Sequence, residues 1–255
     1  MTAVNDIAYV RYQVTDLAAM EGFLVDFGLH VAAKTDKVLY MRAAGDRHHC
    51  HVSELGTENK TLGFGLVAQS LEDLQSVSRK LGVAIEDVAE PGGGQRVRVV
   101  EPSGFEVDVI FGQAKVPELA QREPVMINPV VGRKRLGQTV RLTSAPCCVA
   151  RLGHVALLVR NFAESYKFFT EILGFKPSDS YWAGVPENKI AAFMHCGLGK
   201  AYTDHHTVAL ITAQDGISRF DHSAYEVIDL DDLMQGHAPL GTQPTHRGCW
   251  KLRDH

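Results

Sequence analysis

Two stretches of this 255-residue chain open alike, and this internal repeat constrains the fold more than any other feature. Residues 8–14 alternate like a strand, Thr15-Asp16-Leu17 follows, and an amphipathic stretch ends near Phe27-Gly28-Leu29. Residues 153–159 make a strand of equal length, followed by Arg160-Asn161-Phe162 and a helix-like run over 163–173 that stops at Gly174-Phe175. Gly28 and Gly174 fit helix-stop positions, where a positive φ is needed. Each half then repeats a second unit. Residues 63–68 run into Ser70-Leu71-Glu72-Asp73-Leu74, and residues 222–227 run into Asp229-Leu230-Asp231-Asp232-Leu233. Both are a short strand, a capping Ser or Asp, and an acidic first helical turn. The recurrence predicts an α+β fold of two tandem domains, each built from paired β-α-β-β-β modules. Residues 1–112 form the N-terminal part, which closes with a Pro-Ser-Gly turn at 102–104 and a strand over 105–111. Residues 113–150, with four prolines, read as a connector, and residues 151–255 as the C-terminal part.

Composition narrows the function classes. With 26 basic against 30 acidic side chains the net charge is −4, so no electrostatic footprint points to nucleic acid. No apolar run is long enough to span a bilayer, and residues 1–6 carry neither a basic segment nor an apolar signal core. The cytoplasm is the expected location. The five cysteines include no C-x-x-C pair, so they read as reduced packing residues, and a metal is to be sought among histidines and carboxylates.

Three strings in the C-terminal part carry a resemblance. They are Arg151-Leu152-Gly153-His154-Val155-Ala156-Leu157, Asp204-His205-His206-Thr207-Val208-Ala209-Leu210, and Phe220-Asp221-His222-Ser223-Ala224-Tyr225-Glu226-Val227. Their order and spacing, with 52 residues between His154 and His206 and 16 between His206 and His222, resemble the catalytic module of type I extradiol ring-cleavage dioxygenases of the vicinal oxygen chelate superfamily. The resemblance spans nearly the whole chain, weakly over 1–112 and strongly over 151–240.

It implies an Fe(II) enzyme, Mn(II) being the alternative ion, that opens a catechol beside its hydroxyls with O2 as co-substrate. It also implies that the chain assembles as a homo-oligomer. The metal ligands would be His154 and His222. A lone histidine on an apolar strand is more often a core residue than a ligand, but two at matching places reverse that balance. His206 would be the acid–base residue near bound O2, a task suited to a group with a pKa of about 6.5. His246 lies near the family's other pocket histidine, which contacts the substrate hydroxyl. His205 is expected on the opposite face of a strand from His206. His48, His49 and His51 read as a polar turn leading into an exposed strand, and Gly92-Gly93-Gly94 as a hairpin loop. Phe193, Trp182 and Tyr202 are candidate walls of an aromatic pocket. Tyr9 stands where His154 does, Gly63 where His222 does, and Asp108 at the expected carboxylate position, which leaves residues 1–112 a non-catalytic scaffold.

One family feature has no counterpart. The third ligand, a glutamate, follows a Gly-Phe turn on the last strand of the catalytic module, as Asp108 follows Gly104-Phe105. Residues 241–255 show no strand alternation and contain neither tyrosine nor glutamate. The expectation is a truncated C-terminal domain with an exposed sheet edge and two thirds of an iron site. Asp221 and Asp254 are carboxylates at hand, neither at the expected place. Two other readings stay open: a glyoxalase-like lyase or isomerase, and a non-enzymatic ligand-binding protein like the bleomycin-resistance proteins.

Overall fold

The computed structural model describes residues 3–122 and 145–242, with side chains to His237 in the last helix. The repeat is plain in the order of elements. The N-terminal half runs β1 (Val4–Val14), α1 (Leu17–Phe27), β2 (His30–Lys34), β3 (Val38–Arg42) and β4 (His51–Leu55). It continues with β5 (Lys60–Ala68), α2 (Leu71–Leu81), β6 (Glu86–Asp87), β7 (Gln95–Val100) and β8 (Glu106–Phe111). The C-terminal half runs β9 (Val149–Val159), α3 (Phe162–Lys167, continued by a π turn over Phe168–Ile172), β10 (Lys176–Trp182), β11 (Lys189–His195) and β12 (Val208–Thr212). β13 (Arg219–Val227) and α4 (Leu230–Thr242) follow. The α+β class and the β-α-β-β-β unit stand as expected.

The local chemistry of the sequence explains the helix ends. Asp16 accepts hydrogen bonds from the Ala18 and Ala19 amides at 2.9 Å, Ser70 caps α2, and Asn161 caps α3. Gly28 and Gly174 take φ of 107° and 83°.

The strands form an eight-stranded sheet in the order β2-β3-β4-β1-β5-β8-β7-β6 and a five-stranded sheet in the order β10-β11-β12-β9-β13. The second sheet repeats the first five positions of the first. In both, the opening strand lies parallel to the fourth strand of its module and antiparallel to the next module's first. The agreement extends to irregularities. The β1–β5 ladder skips at Asn5, Ala8 and Leu62, and the β9–β13 ladder at Ala150, Gly153 and Asp221, three bulges at equivalent places. β8 lies parallel to β5. Among the described residues β13 pairs with β9 alone.

One core serves both halves. On β9, Val155, Leu157 and Val159 point to the helices and are fully buried, and on the facing side of the core lie Ile7, Phe64 and Leu66. The Phe64 and Phe169 rings lie nearly parallel, 6.4 Å apart, across the boundary between the halves. Polar bonds cross it too. The Ala3 amide donates to the Leu173 carbonyl at 2.9 Å, and Ser165 Oγ donates to the buried Glu101 carboxylate at 2.6 Å. Ser103, on the β7–β8 turn, sits 2.8 Å from Ser165 Oγ and so covers the start of α3. The equivalent start of α1 is different: Asp16, Met20 and Phe23, with Tyr12 and Thr61, line a groove of about 730 Å³. No helix among the described residues is long and apolar enough to cross a membrane.

Candidate metal centre

Side chains alternate across a strand, so His154 lies on the face opposite Val155 and Leu157, away from the helices. Antiparallel partners share a face, and Ala224 is opposite His154 while His222 is opposite Ala156, one step along. The two imidazoles therefore emerge side by side. Their Nε2 atoms are 3.2 Å apart and their rings stand at 76°. Two nitrogens bound to one ion at about 2.1 Å and near a right angle would be about 3 Å apart. The pair thus fits two adjacent positions on a divalent ion. Among the described residues no set of three His, Cys, Asp or Glu side chains is arranged to hold one.

His206 completes the cluster, its ring 4.1 Å from that of His154 and edge-on to Phe193 at 5.0 Å. The strand begins only at Val208, so His205 and His206 lie on the loop before β12 rather than alternating across a strand. Their rings consequently meet, with Nδ1 atoms 3.1 Å apart, and His205 Nε2 lies 2.9 Å from the Asp179 carboxylate. One tautomer pattern satisfies both contacts: His205 donates from Nε2 to Asp179 and accepts at Nδ1 from His206, which places the basic lone pair of His206 on Nε2. The loop is clamped by Arg151 on β9, whose guanidinium bonds both oxygens of Asp204 at 2.7 and 2.8 Å and reaches Glu226 at 2.7 Å. The Asp204 hydrogen bonds raise the pKa of Arg151 further, so the clamp stays charged.

Asp221 lies beside this pair. Its carboxylate is 2.6 Å from His222 Nδ1, on the far side of the ring from His154.

Of the remaining expectations, His246 and Asp254 fall outside the described residues. Phe193 is part of the cluster, whereas Trp182 and Tyr202 are exposed. Gly92, Gly93 and Gly94 all take positive φ in the loop between β6 and β7, as a hairpin loop requires. The reading of His48, His49 and His51 needs correction. His49 and His51 are buried, not set in an exposed strand. Burial pushes the pKa of both down to about 3, so they are neutral core groups. His51 Nε2 is 2.8 Å from Ser53 Oγ, and its Nδ1 is 3.3 Å from the Tyr225 hydroxyl. Cys50, Cys147 and Cys196 are buried thiols, which desolvation raises to about 12, in keeping with a packing role.

The sequence reading also missed an equivalence. His48 and His49 precede β4 as His205 and His206 precede β12, and their Nδ1 atoms are likewise in contact, at 3.0 Å. Even the clamp recurs with its charges exchanged: Arg47 bonds Asp6 at 2.6 Å where Asp204 and Arg151 pair. The signal was present as two His-His dipeptides, but their distances from the opening strand differ by 12 residues because the β10–β11 hairpin and the loop after it are both longer than their N-terminal counterparts.

Fold and cluster together define a vicinal oxygen chelate architecture, and residues 151–240 match the family model of the Glyoxalase/Bleomycin resistance protein/Dioxygenase superfamily. The kinship can be made more particular. The chain is 28% identical to metapyrocatechase 2 of Cupriavidus necator over 93% of its own length and 70% of the relative's. It is 24% identical to the biphenyl-2,3-diol 1,2-dioxygenase of Paraburkholderia xenovorans, over 91% of this chain and 74% of that one. The Mn(II)-bound glyoxalase from Novosphingobium aromaticivorans superposes with a TM-score of 0.72 at 26% identity, covering 94% of this chain and 71% of the other. The relatives of this chain thus include a metapyrocatechase, a biphenyl-2,3-diol 1,2-dioxygenase and a Mn(II)-bound glyoxalase, and together they imply a metal cofactor.

Proposed function

We propose that this protein is an Fe(II)-dependent extradiol dioxygenase that opens a catechol-type ring with O2. The observation that carries the reading is the His154–His222 pair, with Nε2 atoms 3.2 Å apart and the His206 ring against them. His154 and His222 would hold the ion, and the dioxygenase names of the relatives support the reaction class. When bound, a divalent ion with open positions supplies a template for two catechol oxygens and O2 and a path for electrons between them.

The residues of this chain do the rest. His206 would be the acid–base residue beside O2, with Nε2 as the atom that takes and gives the proton, and the positive charge gained is stabilised through His205 by Asp179. Phe193 fixes the His206 ring and offers an apolar wall to the aromatic substrate. Residues 1–112 act as the scaffold of a C-terminal catalytic part, in a cytoplasmic homo-oligomer. The ion is proposed as Fe(II). Mn(II) would suit the same donors, and the Mn(II)-bound glyoxalase keeps a lyase or isomerase as the second reading.

The test is anaerobic loading of purified protein with Fe(II), followed by a catechol and O2. Stoichiometric iron and a yellow ring-opened product are expected. Metal uptake without ring opening would favour the glyoxalase-like reading, and absence of both would sink the proposal.

A further inference from the structure

In a regular strand Asp221 and His222 would point to opposite faces. They do not, because Asp221 is the extra residue of the β13 bulge: Phe220 pairs with Leu157 and His222 with Ala156, and Asp221 has no opposite number. A bulge re-aims the side chains around it. Here it folds the Asp221 carboxylate back to 2.6 Å from His222 Nδ1, while Nε2 of the same ring faces His154. Both side chains are 29% exposed, so the contact is neither sealed in the core nor free in water.

The other half of the molecule shows that the bulge alone does not require a carboxylate. Its equivalent is Leu62, with Gly63 where His222 stands. The same backbone irregularity thus carries Leu-Gly where there is no histidine pair and Asp-His where there is one.

We infer that Asp221 is a positioning residue: by accepting the Nδ1 proton of His222 it fixes the tautomer that presents Nε2, with its lone pair, to an ion shared with His154. Asp221 is then the outer partner of a ligand rather than the third ligand, since its carboxylate lies beyond the wrong end of the ring to reach the same ion. Outer carboxylates of this kind orient a metal-binding imidazole and raise its basicity. The inference rests on the proposed metal site for its purpose, but not for the tautomer itself.

The two can be tested separately. In metal-free protein labelled with ¹⁵N-histidine, the His222 ring shifts at about pH 9, where free imidazole is neutral, report which nitrogen carries the proton. Wild type should show the Nδ1–H form. Asp221→Leu, which installs the residue of the equivalent bulge, should move His222 toward the Nε2–H form. It should also weaken Mn(II) binding, followed by calorimetry, by about 10- to 100-fold. Asp221→Asn can still accept the proton through its amide oxygen, so it should keep the tautomer and lose less affinity. An unchanged tautomer in a folded Asp221→Leu protein overturns the inference. A changed tautomer in a protein that binds no Mn(II) at all supports the Asp221 contact and overturns the metal reading.

Discussion

The two halves of the chain share a backbone plan down to the three bulges beside the opening strand, yet one builds a metal-type cluster and the other shuts the same place. In the C-terminal half, His154, His206 and His222 meet at a partly open surface. At the equivalent place in the N-terminal half, the Tyr9 hydroxyl donates to Asp108 at 2.7 Å, and Arg98 bonds both oxygens of that carboxylate at 2.6 and 2.8 Å. Burial pushes the Asp108 pKa up, but the Arg98 hydrogen bonds and charge outweigh it and hold the group below the usual carboxylate value. A guanidinium thus supplies the positive charge that a metal ion would supply elsewhere. Two glycines make this arrangement possible. A Cβ at Gly65 would lie 2.7 Å from the Tyr9 ring, and one at Gly63 would lie 2.1 Å from the Glu106 carbonyl oxygen. No histidine could stand at position 63 while β8 occupies that space. The cavity left among Tyr9, Arg11, His49 and Arg96 is only about 50 Å³. The fold therefore tolerates either a metal-type cluster or a sealed ion-pair network, and a handful of side chains decides which.

The sharpest way to break this comparison is to remove a proposed ligand from one half only. His154→Ala or His222→Ala should abolish metal uptake and ring cleavage, measured by metal analysis and product absorbance, whereas Tyr9→Phe should leave both intact. Loss of metal in Tyr9→Phe would show that the halves are not divided as described.

Next in size is the paired histidine. His206→Ala should lower kcat by about 10²- to 10⁴-fold with metal retained, as expected for loss of an acid–base group. His49→Ala should lower stability instead, because His49 is buried among Tyr9, Tyr40 and His48. Equal kinetic effects of the two would refute their separation into reactive and structural copies.

Asp108→Asn should cost about 3 kcal/mol in denaturant unfolding, the lower end for breaking a buried ion pair, because Arg98 reaches solvent. Activity should follow only through the folded fraction. The most gradual effect is with pH. His49 and His51 have folded pKa values of about 3 against an ordinary 6.5, so the unfolded chain binds more protons between those limits. Their contribution is complete above pH 6.5 and is lost as pH falls toward 3, at about 1.4 kcal/mol per unit for each group. Asp108 acts lower, its share vanishing below about pH 3.8. Thermal melts from pH 7 to 3 should show the loss beginning near 6.5, with a shallower slope in His49→Ala, where His51 alone remains. A flat profile in wild type would contradict the buried neutral state.

Much of this was legible in the sequence because a repeat is a pattern at long range and needs no knowledge of contacts. The β-α-β-β-β order and the glycine stops follow from two alignable halves, whereas the grouping of His154, His206 and His222 came from the resemblance of their three strings to a family. What escaped was set by geometry within loops and bulges. The His48-His49 pair was not matched to His205-His206 because the intervening loops differ in length, and loop length carries little energetic signal. Strand alternation misplaced His205 because the dipeptide precedes the strand instead of lying in it. Asp221 looked like a stray carboxylate, since a bulge of one residue leaves no mark in composition or periodicity. The exchange of Arg47 and Asp6 for Asp204 and Arg151 is invisible to residue matching, for only the attraction is preserved and both partners have changed sign.

The bulges carry one last consequence. A strand pair can in principle slide by one residue, which turns every side chain to the opposite face. With skips at Ala150, Gly153 and Asp221, the β9–β13 ladder has a notched edge that fits its partner in a single position. Sliding would set each notch against a regular stretch and break hydrogen bonds at three points together. The spacing of the two imidazoles is thus ruled off by the ladder like marks on a vernier, held by the backbone itself.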